Sequence, residues 1–506
     1  MAPAAPPRIP ADVESPAKLL DTMLALRGQV VEEARTIYDS WRPRITRRRF
    51  MISGTNFAHY LALRRRDLRD VQASLSPWGL SSLGRIEAHV LPNIDAVIAS
   101  LAAISRASSN NIPRRPRAGQ FARGDRLLGL NTEEVFGPPV DGRRVRIMVT
   151  LPSEAAVSYR FVKDLVDHGM SCARINCAHD TYDDWESMIA HVRRAGRDVG
   201  RPVKVAMDLG GPKSRTADLR KPDAGIVFRG DTILLTREAP PKKHGCTAAV
   251  RCTLEGALDQ LKIGESVFFD DGRIGTLVEH IRPEGIVVRV IRARDGGEKL
   301  KNDKGVNFPD TDLHLNPLTE KDLEDLDFVA THADIVSYSF VQSSDDMARL
   351  QSELDARSEM RLKEGLPRTV VIAKIETAAA VRNLPEIIVE AAGKRPLGVM
   401  IARGDLAVEI GWDRLAEIQE EILWLCEAAH VPVVWATQVL ESLAKHGLPS
   451  RAEISDAAMA ERAECVMLNK GPYILDALDI LDGVLRRMQA HQSKKSPQLR
   501  ALTSWR

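Results

Sequence analysis

The chain has 506 residues, which is too long for one ordinary hydrophobic core and predicts two to four domains. Its 71 Lys and Arg residues nearly balance 69 Asp and Glu residues, so the net charge of +2 gives no general case for nucleic acid or an anionic membrane as partner. No apolar run approaches the roughly 20 residues of a membrane helix. The six Cys residues form no CxxC pair, which predicts free thiols, a reducing compartment and a cytoplasmic protein.

Residues 1–110 are predicted to form an all-helical module. Apolar and charged residues alternate at helical spacing in "PAKLLDTMLALRGQVVEEARTIYDSW" and in "IEAHVLPNIDAVIASLAAI". The stretch "TRRRFMIS" is similar to a twin-arginine export signal, but it is internal and no clean apolar segment follows it, so a helix surface is expected. Residues 111–142 break the helical pattern with Pro, Gly and Arg, which predicts a linker or an exposed arm.

From residue 143 onward, short apolar runs alternate with amphipathic, helix-like stretches. The runs are "RIMVTL", "CARINCA", "VKVAMDL", "DIVSYSF", "TVVIAKIE", "LGVMIARGD", "VPVVWATQV" and "CVMLN". Strands that are apolar on both faces and alternate with helices predict a parallel sheet, and eight such units predict an α/β fold of the (β/α)8 TIM barrel type. Residues 143–216 and 306–490 are assigned to this barrel, and residues 491–506 to a tail.

The third unit of the barrel is interrupted by residues 217–305. This segment contains β-like alternation and turn residues in "GDTILLTR", "GESVFFDDGRIGTLVEHI" and "GIVVRVIRA". It is predicted to be a small β-barrel domain inserted at a barrel loop, where it acts as a lid.

Polar residues cluster where the apolar runs end, which is where barrel enzymes build their sites. The residues are Arg174 and Asn176 in the second run, Asp208 in the third, Lys374 and Glu376 in the fifth, Asp405 in the sixth, and Thr437 and Gln438 in the seventh. Lys374 and Glu376 share one strand face because successive side chains alternate. A buried structural ion pair is the alternative for these two residues.

These residue types predict chemistry on a phosphorylated or carboxylated substrate. Glu376 and Asp405 suit a hard divalent cation, most simply Mg²⁺ or Mn²⁺. Arg174, Arg215 and Lys374 suit a phosphate or carboxylate group. Gly404 permits backbone N–H groups to approach an anion at the start of a helix. Together, a metal site and several cations suggest phosphoryl transfer or lyase chemistry through a metal-held enolate.

Seven segments also resemble the motifs of the pyruvate kinase family, in the family's order. They are "GMSCARINCAHDTYDDW", "VAMDLGGPKSRT", "KGVNFPD", "VVIAKIET", "VMIARGDLAVEI", "VVWATQVLESLAKHGLPSRAEISDAAMA" and "ECVMLNKGPY". The resemblance covers roughly residues 143–490, and the inserted β domain falls at the family's position. It implies Mg-dependent phosphoryl transfer from phosphoenolpyruvate to ADP, giving pyruvate and ATP.

The resemblance also implies roles for individual residues. The catalytic residues would be Lys374, Arg174, Arg215 and Thr437. The substrate would be bound by Gly404, Asp405 and Thr437, and the nucleotide by Asn176, His179 and Lys304. The metal would be held by Glu376 and Asp405.

Three positions depart from the family's potassium site. Asn176 and Asp208 are kept, but Ala178 replaces Ser, Leu209 replaces Thr and Lys213 replaces Glu. An ammonium group can supply the missing positive charge, so Lys213, together with Asn176 and Asp208, is expected to substitute for the monovalent cation. We therefore expect no K⁺ requirement.

Other departures affect the edge of the predicted site. The family's "SGETAKGxYP" is reduced to "NKGPYI", and the first strand reads "TLPSEAA" where the family has "T-[IL]-G-P-[AS]-S". The chain also ends soon after "LDILDGVLRRMQAHQ", so the family's C-terminal αβ domain and its effector site are expected to be absent.

Three readings remain open from the sequence. The first is a pyruvate kinase-like phosphotransferase that binds phosphoenolpyruvate and ADP or ATP and that forms, if anything, a homo-oligomer through the barrel or the N-terminal module. The second is a metal-dependent barrel lyase or aldolase of the citrate lyase type, which would not need Lys374 or Lys304. The third is a non-catalytic regulator that binds phosphoenolpyruvate or nucleotide.

Overall fold

The computed structural model describes residues 13–81, 83–221, 225–311, 313, 316–363, 365–494 and 496–497, so residues 1–12 of the predicted helical module and most of the predicted tail lie outside the described residues. The first part is helical. Its helices are α1 (Pro16–Trp41), α2 (Arg48–Arg64), α3 (Arg69–Leu75), α4 (Val90–Ser105) and α5 (Ala118–Phe136), with 3₁₀ turns at Arg42–Arg44, Ser76–Trp78 and Glu87–His89. α1 begins at Pro16 because proline suits a first helical position and the Ser15 hydroxyl accepts the N–H of Lys18.

The segment Glu87–Ser105 is long and apolar enough to cross a membrane, with a mean hydropathy of 1.4. The expectation that no run approaches this length is therefore wrong. In the structure this segment packs against α1, and Val90, Ile94, Ile98 and Leu101 are buried in the main hydrophobic core. Its apolar face is thus used for packing within the helical module.

The prediction of a linker over residues 111–142 is wrong for α5. This helix has 19 residues, and its last two, Val135 and Phe136, are fully buried inside the barrel with Ile372 and Met400. A Cβ atom on Gly398, near the start of a barrel strand, would lie 3.6 Å from the Phe136 ring. α5 therefore closes the N-terminal end of the barrel, a role that its Gly and Arg content does not indicate.

The barrel begins after α5. Its first elements are β1 (Arg146–Thr150), α6 (Glu154–Val157), α7 (Tyr159–Asp167), β2 (Cys172–Asn176), α8 (Tyr182–Asp198) and β3 (Lys204–Asp208). β1 is buried at all five positions, as expected for a strand covered on both faces.

The inserted segment follows β3 as a separate mixed sheet with its own core. Its elements are β4 (Thr216–Arg220), β5 (Ile226–Val227), β6 (Thr232–Thr236), β7 (Ala248–Cys252), α9 (Glu255–Leu258), β8 (Ser266–Phe269), β9 (Ile274–Arg282), β10 (Gly285–Arg292), β11 (Glu298–Lys299) and β12 (Val306–Asn307). The prediction was a small β barrel, whereas the structure has seven strands in the order β12, β8, β9, β10, β6, β7, β4 with β12 and β4 at the edges. These edges are joined by an antiparallel bridge between Arg215 and Gly305 and by backbone hydrogen bonds from the Thr216 N–H to the Lys304 carbonyl and from the Val306 N–H to the Ser214 carbonyl.

The chain then returns to the barrel. The remaining elements are α10 (Glu320–His332), β13 (Ile335–Tyr338), α11 (Ser344–Arg357), α12 (Glu359–Lys363), β14 (Val370–Ile375), α13 (Ala378–Ala392), β15 (Leu397–Ala402), α14 (Arg403–Ile410), α15 (Trp412–Ala428), β16 (Val433–Ala436), α16 (Glu441–His446), α17 (Arg451–Ala460), β17 (Cys465–Leu468), α18 (Ile474–Met488), β18 (Gln492–Ser493) and β19 (Ser496–Pro497). Four of these helices begin with a capping box or a Ser/Thr cap, for example Thr319 before α10, which explains why each starts shortly after a strand or loop.

Eight parallel strands close the barrel in the order β1, β2, β3, β13, β14, β15, β16, β17. Each of the eight predicted runs contains one of them, so the (β/α)8 barrel is confirmed. The register places Asn176 opposite Asp208, and Asp208 opposite Ser337. Since all eight strands run in the same direction, their C-terminal ends meet at one mouth.

Candidate active site

The polar residues predicted from the strand ends lie at this mouth. Arg174 and Asn176 are on β2, Asp208 ends β3, Lys374 is on β14 with Glu376 just after it, Asp405 is in the first turn of α14, and Thr437 follows β16.

Lys374 is the central cation of the mouth. Its ammonium donates to the Ser339 hydroxyl at 2.7 Å and pairs with Glu376 Oε1 at 3.0 Å. Asp208 Oδ2 lies 3.6 Å away. The Ser339 hydroxyl donates in turn to the Leu209 carbonyl at 2.8 Å, so its oxygen is oriented to accept from the lysine. The ammonium is therefore held in one place by three oxygens.

Asp208 is a fully buried carboxylate that two cations keep ionised. Arg174 donates to Asp208 Oδ2 through Nε at 2.8 Å and through a terminal nitrogen at 2.7 Å, and also donates to the Thr150 hydroxyl at 2.9 Å. Burial alone would raise the pKa of Asp208, but the charges of Arg174 and Lys374 outweigh it and hold this pKa below its usual value. Asp208 therefore orients both cations toward the mouth.

Glu376 is also buried, and its surroundings act in the opposite direction. Burial raises the pKa of Glu376, the charge of Lys374 opposes this, and the nearby Asp405 carboxylate raises it further. One oxygen, Oε2, accepts the Phe340 backbone N–H at 2.6 Å. Phe340 offers this N–H from a left-handed conformation with φ of +56°, which is strained for a non-glycine residue. Two carboxylates of like charge thus face the same small volume.

Asp405 is paired with Lys213, which comes from the loop after β3. The ammonium donates to both carboxylate oxygens, at 2.9 and 3.0 Å. Burial favours the neutral amine, but the Asp405 charge outweighs it and raises the pKa of Lys213, so this side chain is a cation at neutral pH. The ion pair that Lys213 forms is thus with Asp405, a partner that the expected grouping with Asn176 and Asp208 did not include.

Asn176 and His179 lie on the β2 side of the mouth. The Asn176 side-chain oxygen accepts the Ala178 N–H at 3.2 Å, and the His179 carbonyl accepts from Trp185 Nε1 at 2.9 Å. The His179 side chain itself is exposed. Trp185 thus fixes the backbone of this loop and leaves the imidazole in solvent.

Gly404 and Thr437 contact each other across the mouth. The Gly404 N–H donates to the Thr437 hydroxyl at 2.9 Å. Thr437 has a left-handed φ of +66°, and Arg403 supports this turn by donating to the Ala436 carbonyl at 2.9 Å and to Asp456 at 2.8 Å. The Gly404 N–H, which was expected to approach an anion, is thus already bonded, and an anion would have to displace the threonine hydroxyl.

Arg215 and Lys304 stand just before the edge strands β4 and β12 of the inserted sheet and pair with carboxylates of the inserted segment. Arg215 contacts Asp303 at 3.1 Å, and Lys304 contacts Asp270 at 2.9 Å. The structure does not join either cation to the strand-end carboxylates through any ion pair of the described residues. The inserted sheet nevertheless reaches the mouth, because Asn307 on β12 lines one cleft with Asp405. Burial and the Asp405 charge also raise the pKa of Asp271.

Sequence reasoning missed Glu409, which lines a cleft of about 140 Å³ beside Asp405 and Asn307. Burial raises the pKa of Glu409 to about 7, a hydrogen bond from Asn307 opposes this, and the charges of Asp405, Asp310 and Glu376 add to the increase. A signal was present, because Glu409 stands four residues after Asp405 and so shares its helix face. Ser339 and Phe340 were missed too, although "SYSF" ends a predicted strand.

The described residues contain no cluster of three or more His, Cys, Asp or Glu side chains that could hold a metal ion. The two carboxylates of Glu376 and Asp405 nevertheless fit a divalent cation that takes its other oxygens from substrate and water, as Mg²⁺ commonly does. The raised pKa of Glu376 has the Asp405 charge among its causes, and a cation between them would relieve that repulsion. The donor set therefore fits Mg²⁺ or Mn²⁺, with Lys213 as a competing cation on Asp405.

Comparison with known proteins gives a consistent family assignment. The family model for the pyruvate kinase barrel domain matches residues 142–473. Pyruvate kinase PKLR of Rattus norvegicus is 31% identical over 372 residues, covering 71% of this chain and 62% of the relative. The Homo sapiens protein of the same name is 32% identical over 379 residues, covering 72% and 62%. The chain thus spans a little over three fifths of the length of these relatives.

A solved structure agrees with the sequence comparison. A pyruvate kinase from Cryptosporidium parvum superimposes with a TM-score of 0.61 at 27% identity, covering 71% of this chain and 72% of the other. A pyruvate kinase from Hypocrea jecorina is 33% identical over 361 residues, covering 70% of this chain and 63% of that protein. The match of the barrel model to well over half of the chain shows that this protein belongs to the pyruvate kinase family.

Proposed function

We propose that this protein transfers a phosphoryl group from phosphoenolpyruvate to ADP. The bond between phosphorus and the enol oxygen breaks, a bond to an ADP β-phosphate oxygen forms, and the remaining enolate takes up a proton at carbon to give pyruvate. The observation that carries this proposal is the Lys374 ammonium, which is held by Ser339, Glu376 and Asp208 at the barrel mouth. A fixed cation of this kind stabilises the charge of a phosphoryl group in transfer without reorganisation.

Two further cations would act on the phosphates. Arg174 is already oriented by Asp208 and Thr150, so it can bind an anion with little loss of side-chain entropy. Arg215 would reach the substrate when the inserted sheet closes and exchanges its contact with Asp303 for a phosphate. Closure would also exclude water from the transfer step.

The remaining candidate residues would bind the rest of the two substrates. Gly404 would bind the substrate carboxylate, and Thr437 would lie beside the enolate carbon. For this, the Gly404 N–H must first give up its hydrogen bond to the Thr437 hydroxyl. Asn176, His179 and Lys304 would contact the nucleotide.

Glu376 and Asp405 would hold Mg²⁺ or Mn²⁺, which when bound supplies positive charge to the phosphate oxygens. The chain's own part is to provide two hard oxygen ligands in a partly buried site. Lys213 contributes a further cation here, and we propose that it removes the requirement for K⁺. The support for this is its buried, charged contact with both Asp405 oxygens.

Pyruvate release from phosphoenolpyruvate and ADP with Mg²⁺, coupled to lactate dehydrogenase, tests the proposal. We expect turnover that does not change between Na⁺ and K⁺ buffers. Lys374→Met should abolish it, while Lys163→Met, an exposed lysine paired with Asp167 on the outer helix α7, should leave it unchanged. Turnover only with K⁺ would keep the kinase activity and refute the role of Lys213.

A second candidate, a non-catalytic binder of phosphoenolpyruvate or nucleotide, is favoured by one observation. Lys213 engages both oxygens of Asp405, and so competes with the metal. Calorimetry with phosphoenolpyruvate and Mg²⁺ separates the two cases, because binding without turnover would identify a regulator. Neither binding nor turnover would point to another substrate, such as that of a barrel lyase.

We propose a cytoplasmic location, which suits the six free cysteines, and a possible homo-oligomer through the barrel or the helical module. The molar mass by light scattering tests the second point, since one chain has a mass of 55.9 kDa.

A further inference from the structure

Asn469 lies in the ring of polar residues at the barrel mouth, although the proposed reaction does not use it so far. It directly follows β17 and stands two residues after Met467, which is buried inside the barrel. Side chains two residues apart on an extended chain share one face. Asn469 therefore faces the interior of the barrel at the end where the candidate active site lies.

The strand register places Asn469 beside Thr150, and Thr150 beside Arg174. β1 pairs with β17 as far as Val149 and Leu468, so the next residue of each strand is a neighbour of the other. β1 also pairs with β2, where Thr150 is opposite Arg174. Three adjacent strands thus carry an amide, a hydroxyl and a guanidinium side by side at the mouth.

The hydroxyl of Thr150 fixes the orientation of the Asn469 amide. Thr150 is buried, and its oxygen accepts a hydrogen bond from Arg174 at 2.9 Å. The single hydroxyl proton is then available for donation, and it is directed to Asn469 Oδ1 at 3.4 Å. Because Oδ1 is turned toward Thr150, the NH2 group of the amide points away from it. Nδ2 is therefore the atom that Asn469 can offer to a ligand.

Nδ2 of Asn469 makes no hydrogen bond to another of the described residues. The side chain is partly exposed, so it can be reached from the mouth. β17 lies between β1 and β16, and β16 leads into Thr437. Asn469 is thus placed between Thr437, which would lie beside the enolate carbon, and Arg174, which would bind the phosphate. An NH2 group next to a guanidinium suits a phosphate oxygen, because both groups donate hydrogen bonds and the oxygen accepts them.

We propose that Asn469 is a further substrate-binding residue, whose Nδ2 donates to a phosphate oxygen of phosphoenolpyruvate beside Arg174. This inference rests on the proposed function, from which it takes its ligand. Thr150 holds both donors in place, since its hydroxyl accepts from the guanidinium and donates to the amide oxygen. Donors that are oriented before the substrate arrives lose little side-chain entropy on binding.

Calorimetry of the full-length protein with phosphoenolpyruvate and Mg²⁺ tests the proposal. A hydrogen bond to a charged group is typically strong enough to change affinity tenfold or more. Asn469→Leu keeps the shape of the side chain without the amide and should bind phosphoenolpyruvate at least tenfold more weakly. Asn469→Asp should also bind it at least tenfold more weakly, because this variant keeps an oxygen for Thr150 and replaces the NH2 group by a negatively charged oxygen.

Asn110→Leu is the matched control, because it makes the same change at an exposed residue between α4 and α5. It should bind phosphoenolpyruvate as the native protein does. Pyruvate separates the phosphate contact from the rest of the site, since it has no phosphate. In ligand-observed NMR, Asn469→Leu and the native protein should bind pyruvate equally. Melting curves show whether each variant folds, and Asn469→Asp, which keeps the side chain polar, serves if the leucine variant does not.

Three outcomes would overturn the role of Asn469 and leave the proposed function intact. They are equal affinity of the native protein and either Asn469 variant for phosphoenolpyruvate, an equal loss of affinity for pyruvate, and an equal loss in Asn110→Leu. Absence of phosphoenolpyruvate binding by the native protein would instead overturn the proposed function and this inference together. None of these readouts depends on catalytic turnover.

Discussion

The helix α5 should contribute strongly to the stability of the barrel, and Phe136→Ala tests this. Phe136 is fully buried among Met148, Ile372, Met400 and Val434 at the closed end of the barrel. Replacing a buried Phe by Ala removes the transfer free energy of the ring and leaves a cavity, which costs about 3–5 kcal/mol. For a barrel of this size the melting temperature should fall by roughly 5–15 °C.

The assay is a melting curve monitored by circular dichroism, together with hydrogen exchange of the β14 and β15 amides. Exchange matters because a chain with several domains need not unfold in two states, and the loss should concentrate in strands that touch the ring. Leu130→Ala is the matched control on the same helix, where the side chain is 46% exposed and the change should cost less than about 0.5 kcal/mol. Equal effects of the two substitutions would refute the packing role of α5 and restore the interpretation of an exposed linker.

Three further predictions concern the mouth of the barrel. Arg174→Met leaves the buried Asp208 with Lys374 as its remaining cationic partner and should lower the free energy of unfolding by about 3 kcal/mol at pH 7. Because the folded pKa of Asp208 is lowered, the stability that this carboxylate contributes is lost as the pH falls. In urea unfolding, the difference between the variant and the native protein should therefore be smaller at pH 4 than at pH 7. Glu409 has a raised folded pKa of about 7, so the folded protein binds the extra proton, and the free energy of unfolding should fall by about 3 kcal/mol as the pH rises from about 4 to about 7. Glu409→Gln should flatten this profile in urea titrations, and an unchanged slope would contradict the assignment. Lys213→Gln should lower turnover at least tenfold in Na⁺ buffer and restore part of it with K⁺ in the coupled assay, whereas equal activity in both salts would show that the ammonium does not replace a cation.

Contacts between residues of one strand end could be predicted from the sequence. Lys374 and Glu376 share a strand face, and the structure joins them at 3.0 Å. Pairings between distant segments were harder to predict. Lys213 was grouped with Asn176 and Asp208, whereas its ion pair is with Asp405, 192 residues away.

The sequence by itself determined the eight apolar strands, their parallel arrangement and the strand ends at which charged residues gather. The strands follow from hydrophobicity over a few residues, and the shared end follows because all strands of such a barrel run in the same direction. Only the tertiary structure decided that α5 closes the barrel, that Thr437 occupies the Gly404 N–H, and that His430, just before β16, bonds to the helical module. Each of these depends on which surfaces meet in three dimensions. His430 and Ala88, for example, are 342 residues apart yet share a hydrogen bond of 3.0 Å, and no local pattern encodes such a contact.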